Sequence, residues 1–110
     1  MIGSNERWSV WSAFVRFQDK PEGKNRPIVM LCDDGKDCQF LPITSKVKDE
    51  VHYYRLIHWK SANLKVPSSV KLNIIKESAE IITERIGKLD NEDIKNLMVE
   101  IGHASVSHDD

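Results

Sequence analysis

Arg26 and Thr44 are the side chains in this sequence whose types and settings best suit a bound phosphate. Arg26 opens the run Arg26-Pro27-Ile28-Val29, and Thr44 stands in Pro42-Ile43-Thr44-Ser45. A guanidinium presents a planar fork that donates two hydrogen bonds to phosphate oxygens, which a point-like ammonium cannot reproduce. A threonine hydroxyl beside it adds a neutral donor. Placed at the ends of neighbouring strands, the pair could hold a phosphodiester and stabilise the charge of an in-line phosphorane. Neither group is a good general base at neutral pH, so a proton acceptor must come from elsewhere. Glu22, in the loop before Arg26, or a histidine could serve, and no spacing forces the choice. Lys20, Lys24, Ser45, Lys46 and Lys48 flank the two residues and could form a local rim for a polyanion, diluted by Asp19, Glu22, Asp49 and Glu50. The plainer alternative is a surface arginine ending a loop and a strand-end hydroxyl bonded to its own backbone. Tyr53, Tyr54 and Trp59 are of the type that stacks on unpaired bases. Trp59 is assigned to the core, and the tyrosines are left open between the two roles.

No metal centre or cofactor is expected. Cys32 and Cys38 have neither C-x-x-C spacing nor partners for a zinc set, and they read as free thiols in a reducing compartment. The four histidines, His52, His58, His103 and His108, make no metal-binding spacing. Asp33-Asp34-Gly35-Lys36-Asp37 is acidic but lacks the spaced ligands and distal glutamate of a Ca²⁺ loop. It reads instead as a hairpin turn.

The elements that must position these residues follow from pattern. A chain of 110 residues, 40% hydrophobic and 30% charged, suits one domain with one core. Its formal charge of -1 supplies no global field, so any polyanion site must be a local patch. No apolar run approaches the roughly 18 residues of a membrane span, and the N-terminus has no apolar signal core. These features predict a cytoplasmic protein. Trp8 to Phe17 alternates as a strand apolar on both faces, which suits a well-buried strand, a curved barrel or a dimer edge. A loop follows over residues 18–25, then a strand Ile28 to Cys32 and a returning strand Cys38 to Thr44, where Pro42 argues for an edge or bulge. Val51 to Ile57 reads as extended, Trp59 to Leu64 as one helical turn, and Ser68 to Ile75 as a strand. Residues 75–82 are ambiguous between helix and strand. Asp90 is an N-cap, with Asp93 placed as in a capping box, and Ile94, Leu97, Met98 and Ile101 form one apolar helix face ended by Gly102. The pattern predicts a mainly β, antiparallel half-open barrel of five to seven strands closed by a C-terminal amphipathic helix. Residues 1–7 are expected to be a flexible N-terminus, 8–102 one domain and 103–110 a disordered tail. So small a core would gain from burial against a partner or a second copy.

In order and spacing these residues resemble the MazF/PemK family of toxin ribonucleases. Arg26-Pro27-Ile28-Val29 is similar to that family's R-P-V-V motif, and Ile43-Thr44-Ser45 to its I-T-S motif. Val66 to Leu72 resembles a later strand, and Arg85-Ile86-Gly87-Lys88-Leu89-Asp90 with the capped helix resembles the family's closing segment. The resemblance spans roughly residues 8–101. It implies an SH3-like barrel, a homodimer, an antitoxin partner in the RNA groove, and metal-independent cleavage of single-stranded RNA. It also implies catalytic roles for Arg26 and Thr44. The front of the chain departs from the family, with Arg7-Trp8-Ser9-Val10 where Gly-Asp or Gly-Glu is common. That departure motivates a second reading, a catalytically inactive barrel that binds RNA or a protein. A purely structural interaction domain is the third.

Overall fold

Alternation along the first strand divides the apolar residues between the two faces of a sheet. The computed structural model describes residues 7–16, 22–46 and 52–108. Strand β1 (Ser9–Arg16) pairs antiparallel with β2 (Gly23–Asp33), with Val10 opposite Val29 and Trp11 opposite Ile28. Successive side chains leave opposite faces of a strand. Val10 and Val29 therefore enter one apolar cluster with Leu41, Ile43, Val70 and Leu97. Ala13 and Ile28 enter a second cluster with Met30, Cys38 and Phe40. The two-faced first strand expected from its sequence thus serves two cores, one on each side of the sheet. Phe14 is 40% exposed.

The β2–β3 hairpin follows the Asp-Gly signal. Gly35 has φ 89°, the left-handed conformation that glycine adopts without strain. Asp33 Oδ1 accepts from Gly35 N–H at 2.8 Å, and Asp34 Oδ1 accepts from Lys36 and Asp37 N–H at 2.9 and 2.8 Å. The turn's carboxylates are engaged with its own backbone. The N–H groups of Asp37 and then Lys36 favour the charged form and hold the Asp34 carboxyl below its ordinary value.

Strand β3 (Asp37–Thr44) pairs with β2 on one side, Ile28 opposite Pro42. Its other side is shared by β5 (Ser69–Lys71), which takes Ile43 and Thr44, and β6 (Ile75–Ser78), which takes residues 37–40. Pro42 falls in the gap between them. The proline is therefore not on an edge strand. It occupies the point where β3 changes partner, so its missing N–H breaks no ladder on that side. The same gap explains why Ser68 to Ile75, expected as one strand, is two. Both short strands dock on β3, and the chain steps across the break between them. The ambiguous stretch after it resolves into β6, a 3₁₀ turn over Ala79–Ile81 and β7 (Ile82–Lys88).

Strand β4 (Tyr53–Arg55) pairs with β5, and the sheet runs β4-β5-β3-β2-β1-β7 with β6 beside β3. Every ladder is antiparallel, and among the described residues none joins β4 to β7. The sheet is seven-stranded, antiparallel and open on one side, as the pattern predicts. Strand β2 starts at Gly23, earlier than the expected Ile28. Its leading residues pair with β1 alone, a setting that tolerates Pro27. Cys32 and Cys38 are free thiols, as expected. Burial, then nearby Asp33, pushes the Cys38 thiol up to about 11.

Helix α1 (Asn91–His108) closes the first cluster with Leu97, Ile94 and Ile101. Asp90 caps it as expected, its Oδ2 accepting from Glu92 N–H at 3.0 Å. Asp93 does not form the expected capping box. It is fully buried and accepts from Tyr54 O–H at 2.6 Å, Ile57 N–H at 3.0 Å and His58 N–H at 2.9 Å. Donors from a distant segment outcompete the nearby cap N–H because they would otherwise lack partners in the interior. Tyr54 packs against the first cluster with its hydroxyl held by Asp93, so it is a core group and not a base-stacking one; burial, then the bond to Asp93, raises its phenol above its ordinary value. Gly102 does not stop the helix, which runs to His108, into the segment expected to be disordered. Gly102 is exposed, and a side chain there would meet nothing within 4 Å. Among the described glycines only Gly35 has positive φ, so no helix-ending turn forms at Gly102.

Two outcomes follow. Asp93→Ala would leave two backbone N–H groups and a phenol without their acceptor, and should lower stability by about 3 kcal/mol in denaturant titration. His58 Nε2 lies 2.8 Å from Glu92 Oε1 and 3.7 Å from Asp90 Oδ2, and the Glu92 bond, then the Asp90 charge, raise its pKa above the ordinary 6.5. The contribution of this contact is complete below about pH 6.5 and fades as pH rises through the raised value. Thermal melts from about pH 6 to about pH 9 should show that decline, and His58→Gln should flatten it.

Candidate functional site

A recess of about 640 Å³ opens where the leading end of β2 passes the end of β3. Its floor is a row across four strands. Glu84 on β7 pairs with Ser12 on β1, and Ser12 pairs with Pro27 on β2. Continuing the register that sets Ile28 opposite Pro42 brings Ile43 beside Pro27. All four residues line the recess. Arg26 and Thr44 have the opposite alternation and line it from the rim.

The far wall is the segment from Asn63 to Ser68. It follows a tight turn held by Ser61 N–H to His58 O at 3.1 Å, Asn63 N–H to Lys60 O at 3.0 Å and Leu64 N–H to Trp59 O at 3.2 Å. This is the helical turn expected over residues 59–64, in turn form. Trp59 packs against the first cluster as assigned, with Lys60 Nζ 5.4 Å from its ring centroid. Asn63 adopts φ 69°, a region that asparagine tolerates better than most residues, and donates from Nδ2 to Ile86 O at 2.9 Å. A Cβ at Gly87 would lie 2.5 Å from Ala62 O, so only glycine lets this wall close on β7.

The electrostatics of the recess differ from those of the chain. Lys24, Arg26, Lys46 and Lys65 line it, against the single carboxylate Glu84 among the described lining residues. Among the described residues none of these five makes an ion pair within 4.0 Å. Four cations without counter-ions around one concavity attract an anion, although the whole protein carries a formal charge of -1. Thr44 Oγ1 accepts from Lys46 N–H at 3.2 Å, the local bond of the plainer sequence reading. The hydroxyl keeps its own hydrogen to donate to a ligand.

The structure gathers Lys24, Arg26, Thr44, Ser45 and Lys46 at this recess. Glu22 is exposed and does not line it. Lys20 and Lys48 lie outside the described residues. Tyr53, Tyr54 and Trp59 do not line it either. Ser12, Asn63, Lys65 and Glu84 belong to it and were not singled out from sequence. No local spacing marks them, because strand pairing and the turn bring them there. One other group among the described residues has metal-ligating types together: His58, Asp90 and Glu92, with ligand atoms within 4.8 Å of one another. Asp90 caps the helix and His58 bonds Glu92, so the start of α1 already accounts for them.

No protein-family model matches the chain, and no curated protein does. Solved structures do. The Mycobacterium tuberculosis toxin MazF-mt6 is 20% identical, with a TM-score of 0.64 over 86% of this chain and 94% of that one. A mycobacterial endoribonuclease in complex with its cognate antitoxin is 9% identical, with a TM-score of 0.69 over 92% and 94%. A further mycobacterial endoribonuclease is 9% identical, with a TM-score of 0.70 over 94% and 93%. The open antiparallel sheet with its closing C-terminal helix is thus a MazF-like fold.

Proposed function

We propose that this protein is an endoribonuclease toxin that cleaves single-stranded RNA without a metal and is restrained by an antitoxin. The observation that carries the reading is the cationic recess, in which Arg26 and Thr44 meet on a fold shared with endoribonuclease toxins. In the reaction the 2′-oxygen bonds to phosphorus as the bond from phosphorus to the 5′-oxygen breaks. A base takes the 2′-hydroxyl proton, and the departing 5′-oxygen gains one. Arg26 holds the non-bridging oxygens through its fork, and Thr44 donates beside it. Lys24, Ser45 and Lys46 grip the neighbouring backbone, and Lys20 and Lys48 are assigned to RNA binding from the sequence alone. Glu22, beside the leading end of β2, is assigned the proton.

The absence of Glu22 from the recess lining favours the second reading, a barrel that binds RNA or protein and has no catalysis. The partner assignments are an antitoxin protein and a second copy of this chain, in the cytoplasm. No described helix is long and apolar enough to cross a membrane.

Incubation with single-stranded RNA in EDTA should give discrete cuts. Arg26→Ala should abolish them while stability stays within about 0.5 kcal/mol of the parent, because Arg26 pairs with no carboxylate among the described residues. Arg26→Lys should restore little. Uncut RNA that still shifts in a gel, and does so with Thr44→Ala, would establish the binding module instead. Sedimentation at micromolar concentration should show a dimer, and a monomer alone would refute that assignment.

A further inference from the structure

Glu84 stands out at the recess because a carboxylate repels the phosphate that the four cations attract. It is exposed and lines the cavity. Among the described residues it makes no ion pair or hydrogen bond that would explain it as a structural group. Its position decides what it can touch. Glu84 lies on β7, and Arg26 lies on β2 with β1 between them. Two strand spacings put the two backbones roughly 10 Å apart. That is a span that a nucleotide bridges from its phosphate to the far edge of its base. Pro27 and Ile86, both part-exposed in the recess, offer apolar surface to a flat ring.

Resting on the RNA reading above, we propose that Glu84 is a specificity-determining residue. It accepts hydrogen bonds from a nucleobase with an exocyclic amino group when the adjoining phosphate sits on Arg26. A carboxylate only accepts. Guanine answers it with two parallel N–H donors on its Watson–Crick edge, and cytosine and adenine each answer with an amino group. Uracil carries carbonyl oxygens where the others carry amines, and the carboxylate disfavours it.

The test uses fluorescein-labelled, single-stranded 2′-fluoro RNA oligomers, which keep bases and phosphates and lack the attacking hydroxyl. Binding of all-uridine oligomers is compared with binding of oligomers holding one guanosine, cytidine or adenosine. The full chain should bind the guanosine oligomer about tenfold more tightly than all-uridine. Glu84→Gln, whose amide both donates and accepts, should reduce that preference to less than about twofold, and should bind all-uridine at least as well as the parent because a negative charge has gone. A melt of the variant matching the parent confirms that the change is local. Base-blind binding by the parent, or a preference unchanged in Glu84→Gln, overturns the role of Glu84 and leaves the RNA reading standing. No binding to any oligomer overturns both.

Discussion

A buried carboxylate on the closing helix holds the region on which the site depends. Asp93 is fully buried and accepts from Tyr54, Ile57 and His58. Asn96 adds a bond from Nδ2 to Tyr54 Oη at 3.0 Å. Through these contacts the first turn of α1 fixes the end of β4 and the backbone after it. That backbone continues into the 59–64 turn, whose far end forms the wall of the recess. Burying a carboxylate is costly unless donors satisfy it. Three donors from a separate segment do so here, and the helix dipole favours negative charge at the same place. The helix therefore does more than cover the first cluster, because it also places a wall of the recess.

The opposite side of the recess depends on the divided edge of β3. β6 and β5 share that edge on either side of Pro42. β5 ends on Thr44, and β2 overshoots β3 at the same end of the sheet. Strand ends staggered in this way leave backbone and side chains facing a concavity without a further strand to fill it. Gly87 and Asn63 close the other side at a distance that no larger residue at 87 would permit. The result is a recess with a cationic rim in a protein of nearly neutral overall charge.

Four cations around one concavity, with no carboxylate partner among the described residues, repel one another, and a fold optimised only for stability would pair them. Arrangements of that kind are typical of sites whose polar groups await a ligand. The interior of this protein, by contrast, leaves no described buried side-chain polar atom unsatisfied. The contrast separates groups that hold the fold from groups available to a ligand.

Much of this was legible in the sequence, for physical reasons that can be named. The alternation seen in β1 over Ser9–Arg16, the Asp-Gly turn and the apolar spacing of Ile94, Leu97, Met98 and Ile101 are short-range signals, and each became the element it predicts, although Met98 is 58% exposed and adds nothing to the buried face. Arg26 and Thr44 could be singled out because their setting is local: an arginine before proline and a hydroxyl at a strand end. The roles of Asp93, Gly102 and Glu84 could not be read in that way. Asp93 sits where a capping box would place it, yet its partners lie more than thirty residues away. Gly102 looks like a helix stop, but nothing around it makes a stopping turn. Glu84 enters the recess only because β7 pairs with β1, and that pairing carries two register shifts with no local sequence mark. Sequence by itself determined the elements and the chemical types at the rim, because propensity and periodicity act over a few residues. Tertiary structure alone decided which distant groups share the recess, because that depends on strand register and on which buried donors compete for each carboxylate.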